Sequence, residues 1–263
     1  MEDVLAKIAA HKAVEVAEQK QLFSVKDLEN TQWFAAKPIS IKESLTRVGS
    51  SGVIAEFKRQ SPSKGIINGQ ASVVETTSGY VAAGAAALSV LTDTQFFGGN
   101  TADLLAARGA NQCPILRKDF VLDEFQILQA KSIGADVILL IAAMLTPQQI
   151  KDLAAFAASL GLEVLLEVHD LEELQRSIQP HVTLVGVNNR SLRTFQVSVD
   201  TSFQLAEHIP AEFVKVSESG LFSDASVIGS LRAAGYRGFL IGETFMKTSN
   251  PAQACADFIA QTR

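Results

Sequence analysis

Cysteine is scarce: Cys113 and Cys255 are the only two in 263 residues, far apart and without CxxC or Cys/His spacing. That argues against a disulfide framework and against a zinc site, and leaves two small buried thiols in a reducing compartment. Basic charge is also in deficit. With 23 Lys and Arg against 28 Asp and Glu, the formal net charge is -5. This argues against a general nucleic-acid or anionic-membrane surface, because both are built from many cation–phosphate contacts. A local cationic pocket is still allowed. No run approaches the roughly 18 consecutive apolar residues of a membrane span. The opening MEDVLAKIAAHKAVEVAEQK is charged and amphipathic, unlike the apolar core of a signal peptide. A cytoplasmic protein is expected. Core material, by contrast, is plentiful: 47% of residues are hydrophobic and 19% charged, so long disordered stretches are not expected.

From Val53 onward, short apolar runs alternate with longer helix-patterned segments. The runs are VIAEFK (53–58), ALSVLTD (87–93), PILRKDF (114–120), DVILLIA (136–142), EVLLEV (163–168), TLVGVNN (183–189), FVKVSESG (213–220) and GFLIGET (238–244). Strands buried on both faces read as unbroken apolar stretches, as DVILLIA and EVLLEV do. Between runs, TPQQIKDLAAFAASLG places Thr146 as N-cap, Pro147 at the first helical position and Gly161 at the stop. DEFQILQAKSIGAD repeats the arrangement with Asp123 and Gly134. Eight such units in roughly 200 residues predict a single closed (β/α)8 TIM barrel. An open doubly wound sheet would ask for GxGxxG after the first strand, where RQSPSKG stands instead. Residues 1–48 are expected to form an N-terminal helical extension packed on the barrel: a helix over 2–21, a polar turn, and an irregular or short helical piece carrying Trp33. Residues 49–263 then make the barrel.

Charged residues at the C-terminal ends of these strands are the informative ones, since a barrel interior is otherwise filled with branched apolar side chains. Glu56 and Lys58 end the first strand, two apart and on one face. Lys118 ends the third, with Arg117 and Asp119 on the opposite face. Glu167 ends the fifth, Asn188 the sixth, and Glu218 with Ser219 the seventh. Any one of these is equally readable as part of a structural ion pair. A ring of them is harder to explain that way, because desolvation makes buried ion pairs poor stabilisers. SESG (217–220) and IGET (241–244) add glycines after the last two strands, where main-chain N–H groups of such barrels commonly hold a phosphate. His169 and the helix-capping Asp170 read as structural, and His11, His181 and His208 as solvated. FFGGN (96–100) reads either as a cover for an aromatic ligand or as a plain turn.

VIAEFKRQSPSKG, LTDTQFFGG, PILRKDF, LLEVHD, VGVNNRSLRTF, KVSESG and LIGETFM, in this order, resemble the indole-3-glycerol phosphate synthases of tryptophan biosynthesis over nearly the whole chain. The resemblance implies a lyase that needs no cofactor or metal. It closes the indole ring of 1-(o-carboxyphenylamino)-1-deoxyribulose 5-phosphate with loss of carbon dioxide and water. It implies Lys58 and Lys118 as catalytic lysines, Glu56 and Glu167 as the acidic residues, and Asn188, Arg190 and Ser219 in the active-site wall. Gly220, Gly242 and Glu243 fall at the phosphate site, and Phe97 and Phe120 against the aromatic ring. Ser61 belongs to the substrate contacts, in a segment read as a mobile loop over the mouth, with Lys64 placed to draw in an anion. Where family members often carry a small residue, this chain has Glu243. Its contact is therefore expected from the backbone, with the carboxylate turned to solvent.

The chemistry then assigns Lys118 as proton donor to the ketone, Lys58 as ligand of the substrate carboxylate with a share in proton transfer, and Glu167 as base. Asn188 and Ser219 orient hydroxyls. The partner is a small anionic phosphate compound rather than nucleic acid or membrane, and the chain is a monomer or homodimer. A phosphoribosylanthranilate isomerase would want a Cys and Asp acid–base pair, and the first strand ends in Glu and Lys instead. A catalytically silent barrel would have no reason to keep Lys58, Lys118 and Glu167 together.

Overall fold

The computed structural model describes residues 4–191, 196–220 and 225–262. In chain order the elements are α1 (Val4–Leu22), α2 (Val25–Glu29), α3 (Ile41–Thr46), β1 (Val53–Phe57), β2 (Gln60–Ser61), β3 (Gly65–Ile66), α4 (Val73–Ala82), β4 (Ala87–Leu91), α5 (Thr101–Ala110), β5 (Ile115–Lys118) and α6 (Glu124–Ser132). They continue with β6 (Val137–Ile141), α7 (Pro147–Ser159), β7 (Glu163–Val168), α8 (Leu171–Ser177), β8 (Leu184–Asn188), α9 (Asp200–Ala206), β9 (Val214–Glu218), α10 (Ala225–Ala233), β10 (Gly238–Ile241), α11 (Glu243–Met246) and α12 (Pro251–Gln261). Each of the eight apolar runs contains one barrel strand. All pair in parallel, and β1 closes the ring by bonding both β4 and β10. A protein of this order is a (β/α)8 barrel.

Helix ends form where the sequence supplies caps. Thr146 accepts from Gln149 N–H, and the Gln149 side chain returns to the Thr146 backbone; Asp123 and Gln126 make the same reciprocal pair ahead of α6. Such caps satisfy backbone donors that would otherwise be orphaned, a contribution of about 1 kcal/mol each. The apolar residues divide into two bodies. One lies between strands and helices and includes Leu104, Ile127, Ile150 and Val187; the other fills the barrel and includes Ile54, Leu116, Leu139, Leu165, Val216 and Leu240.

Beyond α1, the extension carries the short helices α2 and α3, with turns around Trp33 between them. α3 is capped by Ser40 and seals the N-terminal end of the barrel with Ile41 and Leu45, both buried in the interior cluster. Glu163 at the start of β7 grips it, accepting from Ser40 Oγ at 2.7 Å and from the Ile41 and Lys42 N–H groups at 2.7 and 3.1 Å. A carboxylate on orphan N–H groups at a helix start is favourable by charge and by hydrogen bonding together. RQSPSKG likewise forms a small antiparallel hairpin, β2 with β3. Its base is tied down by the Arg59 carbonyl, which accepts from Ile67 and Asn68, and by Arg59's pairing with Asp103 on α5.

Candidate active site

The C-terminal ends of the barrel strands and the loops beyond them line one cavity. Leu139, Ile141 and Leu240 supply apolar wall, and α1 adds Val4, Leu5 and Ile8. Every predicted site residue except Gly220 is in its lining: Glu56, Lys58, Ser61, Phe97, Lys118, Phe120, Glu167, Asn188, Arg190, Ser219, Gly242 and Glu243. Gly220 sits one residue beyond Ser219 with φ of 77°, and residues 221–224 after it lie outside the described residues.

Parallel pairing brings the charges together. Asn188 stands opposite Glu218 across β8 and β9, and Glu167 opposite Gly186 across β7 and β8. Lys118 Nζ lies 2.9 Å from Glu167 Oε2 and 3.2 Å from Glu218 Oε2. Lys58 Nζ lies 2.8 Å from Glu56 Oε1. Asn188 Nδ2 donates to Glu167 Oε1 at 3.1 Å, and its Oδ1 accepts from Arg190 N–H at 3.0 Å. Burial alone would discharge the Lys118 ammonium, but Glu167, Glu218 and Glu56 outweigh it and raise the pKa. Burial likewise pushes Glu167 up, and Lys118 with His169 and the hydrogen bonds overrides it, so that carboxyl is held well below the usual range. Glu218 moves the other way. Burial, with Glu167 and Glu56 as negative neighbours, outweighs Lys118 and lifts it to about 7. Its Oε1 is buried without a hydrogen-bond partner. These carboxyls titrate together, and burial with two negative neighbours favours the shared proton on Glu218.

Two glycines make the room. A Cβ at Gly242 would stand 2.5 Å from Glu56 Oε1, and one at Gly186 would stand 2.1 Å from Glu218 Oε1. Gly186→Ala is therefore expected to preserve the fold, since only the side-chain tips of Glu218 and, slightly, Leu165 must move, while displacing Glu218 from Lys118. Displacement on the ångström scale costs about a hundredfold in turnover. Circular dichroism with steady-state kinetics checks this, and turnover within twofold of the parent would mean that Glu218 is not needed where it stands.

The aromatic pair Phe97 and Phe120 meet with centroids 5.9 Å apart, tilted by 41°. On the other side, Ser219 adopts φ of 63°, and among the described residues no other non-glycine has positive φ. Asn189 holds this turn, its Nδ2 donating to the carbonyls of Glu218 and Ser219 at 3.0 Å each. Glu243 corrects the sequence expectation. Its carboxylate is only partly exposed and lies 3.7 Å from Arg190 Nη2 and 3.8 Å from Lys64 Nζ, so it is paired with two cations rather than turned freely to solvent.

Sequence reading gave Glu218 a place but no role, and set His169 aside. Asp170 does cap α8. His169 is nevertheless part of the cluster, with Nδ1 3.1 Å from Glu173 Oε2 and Nε2 3.6 Å from Glu167 Oε1. Its pKa is raised: Glu173, Glu167 and Glu218 overcome the effect of burial. Its position directly after a strand-end carboxylate was the available signal. Among the described residues no group of three or more His, Cys, Asp or Glu side chains is arranged to hold a metal ion.

Fold and site together define a (β/α)8-barrel enzyme built around a buried lysine–carboxylate centre. The indole-3-glycerol phosphate synthase family model matches residues 5–258, and the chain belongs to that family. Indole-3-glycerol phosphate synthase of Bacteroides thetaiotaomicron is 49% identical over 259 residues, covering 98% of both chains. That of Bordetella pertussis is 42% identical over 267 residues, covering 99% of this chain and 100% of its own. Among solved structures, thiamine phosphate pyrophosphorylase from Pyrococcus furiosus superposes with a TM-score of 0.62 at 13% identity, over 85% of this chain and 98% of its own. 3-Hexulose-6-phosphate synthase superposes with 0.60 at 13%, over 81% and 100%. These two likenesses establish the barrel fold alone.

Proposed function

We propose that this chain closes the indole ring of 1-(o-carboxyphenylamino)-1-deoxyribulose 5-phosphate, releasing carbon dioxide and water, as the indole-3-glycerol phosphate synthase of tryptophan biosynthesis. The observation that carries the reading is Lys118, an ammonium held between the buried Glu167 and Glu218 in a cavity that also holds the Phe97–Phe120 pair and Arg190. Residues 49–263 are the catalytic barrel and residues 1–48 the extension packed on it, α1 at the mouth and α3 at the opposite end. The protein works in the cytoplasm as a monomer or homodimer.

The substrate's benzene ring sits against Phe97 and Phe120, with its carboxylate on Lys58. The phosphate lies toward Arg190, Gly220 and the Gly242–Glu243 backbone, with Ser61 at the rim. The ring carbon bearing the carboxylate attacks the ketone carbon, and the carbonyl oxygen takes a proton from Lys118 as the new bond forms. Carbon dioxide then leaves, returning its electron pair to the ring. The new hydroxyl departs as water with a proton from Lys58, and Glu167 removes the proton that completes the double bond. Asn188 and Ser219 orient the substrate hydroxyls, and Glu56 sets Lys58. One charge relation times these steps: the Lys118 ammonium keeps Glu167 a weak base, and once Lys118 has given up its proton that restraint is gone.

The test is direct. Purified protein mixed with the substrate should give rising indole fluorescence and one equivalent of carbon dioxide, whereas folded protein giving neither would refute the reading. Glu218 adds a pH dependence. Above about pH 7 it ionises, which makes Lys118 a poorer acid, so kcat/KM should fall there. Glu218→Gln keeps the neutral form and should carry that fall to higher pH; an unchanged profile would assign the limb to another group.

A further inference from the structure

We propose that Lys12, on α1, is a positioning residue that sets the two rings against which the substrate's aromatic ring binds. The inference rests on the reading of Phe97 and Phe120 as ring contacts.

Lys12 is fully buried although it belongs to a helix at the edge of the barrel mouth. Its Nζ stands 2.9 Å from Asp119 Oδ1 and 3.1 Å from Asp93 Oδ2, both carboxylates fully buried, and 3.0 Å from Glu15. Each of the two buried carboxylates has a second duty, and the duty is the same. Asp93 Oδ1 accepts from the backbone N–H of Phe96 at 2.7 Å and of Phe97 at 3.1 Å. Asp119 Oδ1 accepts from the backbone N–H of Phe120 at 2.8 Å. One ammonium thus joins the two carboxylates that hold the main chain beneath two rings arriving from different strands. Leu5 and Ile8, seven and four residues before Lys12 and so on its side of the helix, line the cavity. His11 meets Phe96 edge-on with centroids 5.6 Å apart.

An apolar residue at position 12 would dock the helix at least as well, because desolvation cancels most of what a buried ion cluster gains. What the ions add is fixed direction and distance. The two carboxylates also depend on Lys12 unequally. Asp119 is held in addition by Arg117 at 3.1 Å and by Thr92 Oγ1, whereas Asp93 Oδ2 has no hydrogen-bond partner and meets only the Lys12 charge. Loss of Lys12 therefore acts first on Asp93 and the turn carrying Phe97.

The test uses Lys12→Met, close in length and uncharged. Steady-state kinetics are combined with competitive inhibition by 2-aminobenzoate, a probe of the ring end, and by inorganic phosphate, a probe of the other end. The expected result is a KM raised about tenfold or more with kcat changed less than about threefold. The inhibition constant of 2-aminobenzoate should rise in parallel, and that of phosphate should stay level. Lys12→Met/Asp93→Asn serves as companion, since it removes the stranded charge yet keeps an oxygen for the Phe96 and Phe97 N–H groups. Thermal stability should recover in the double variant while KM stays high. A purely structural Lys12 would lower stability in the single variant and leave all three constants within twofold in both, and that result overturns the proposal. If Lys12→Met fails to fold, the double variant decides by the same constants. Should the parent not turn the substrate over, the functional reading fails on its own, and 2-aminobenzoate binding, followed by its own fluorescence, still tests Lys12.

Discussion

Lys118→Met is expected to lower kcat by at least about a hundredfold, or about 2.7 kcal/mol of barrier, the low end of what a positioned acid supplies. Met fills the space of the lysine stem, so the apolar wall is kept. The change removes the one proton donor that stands between Glu167 and Glu218. Left without the lysine, these two carboxyls will share a proton, which restores the local charge balance and keeps the barrel folded, but supplies the acid at the wrong place. Circular dichroism before kinetics separates the two effects. A loss smaller than tenfold in folded protein would transfer the acid role to Lys58.

Glu167→Gln should fall as far, by about 10²–10⁴ in kcat, with KM nearly unchanged. Gln keeps the shape and one of the two acceptor oxygens that meet Lys118 and Asn188, and cannot take a proton. Since the base acts after ring closure, a single turnover of this variant should release carbon dioxide ahead of indole. Equal rates for the two products, or a normal kcat, would remove Glu167 from the role.

The barrel was legible because parallel strands buried on both faces must be apolar without interruption, as DVILLIA is. Charges at their ends therefore stand out, and Glu56, Lys58, Lys118 and Glu167 were found that way. Features that depend on contacts between distant parts of the chain were not legible. Lys12 reads as one more polar position on an amphipathic helix, since Asp93 and Asp119, which bury it, lie far along the chain. α3 is too short for a periodic signal, and its Ile41 and Leu45 gain their meaning only once a barrel end exists to be sealed. Glu218 and His169 look ordinary until ring closure sets them around Lys118 and Glu167. The Glu243 side chain was placed by local helix logic, which could not anticipate Arg190 and Lys64 converging on it.

Ser219 bears on how far this enzyme could be hardened against heat. Its left-handed backbone costs an L-residue roughly 1–2 kcal/mol, a load that glycine would not carry. Ser219→Gly should thus raise the melting temperature and surrender the hydroxyl at the same stroke. Selection for robustness alone would replace this serine, so under the proposed role of its hydroxyl in orienting substrate its presence trades endurance for turnover.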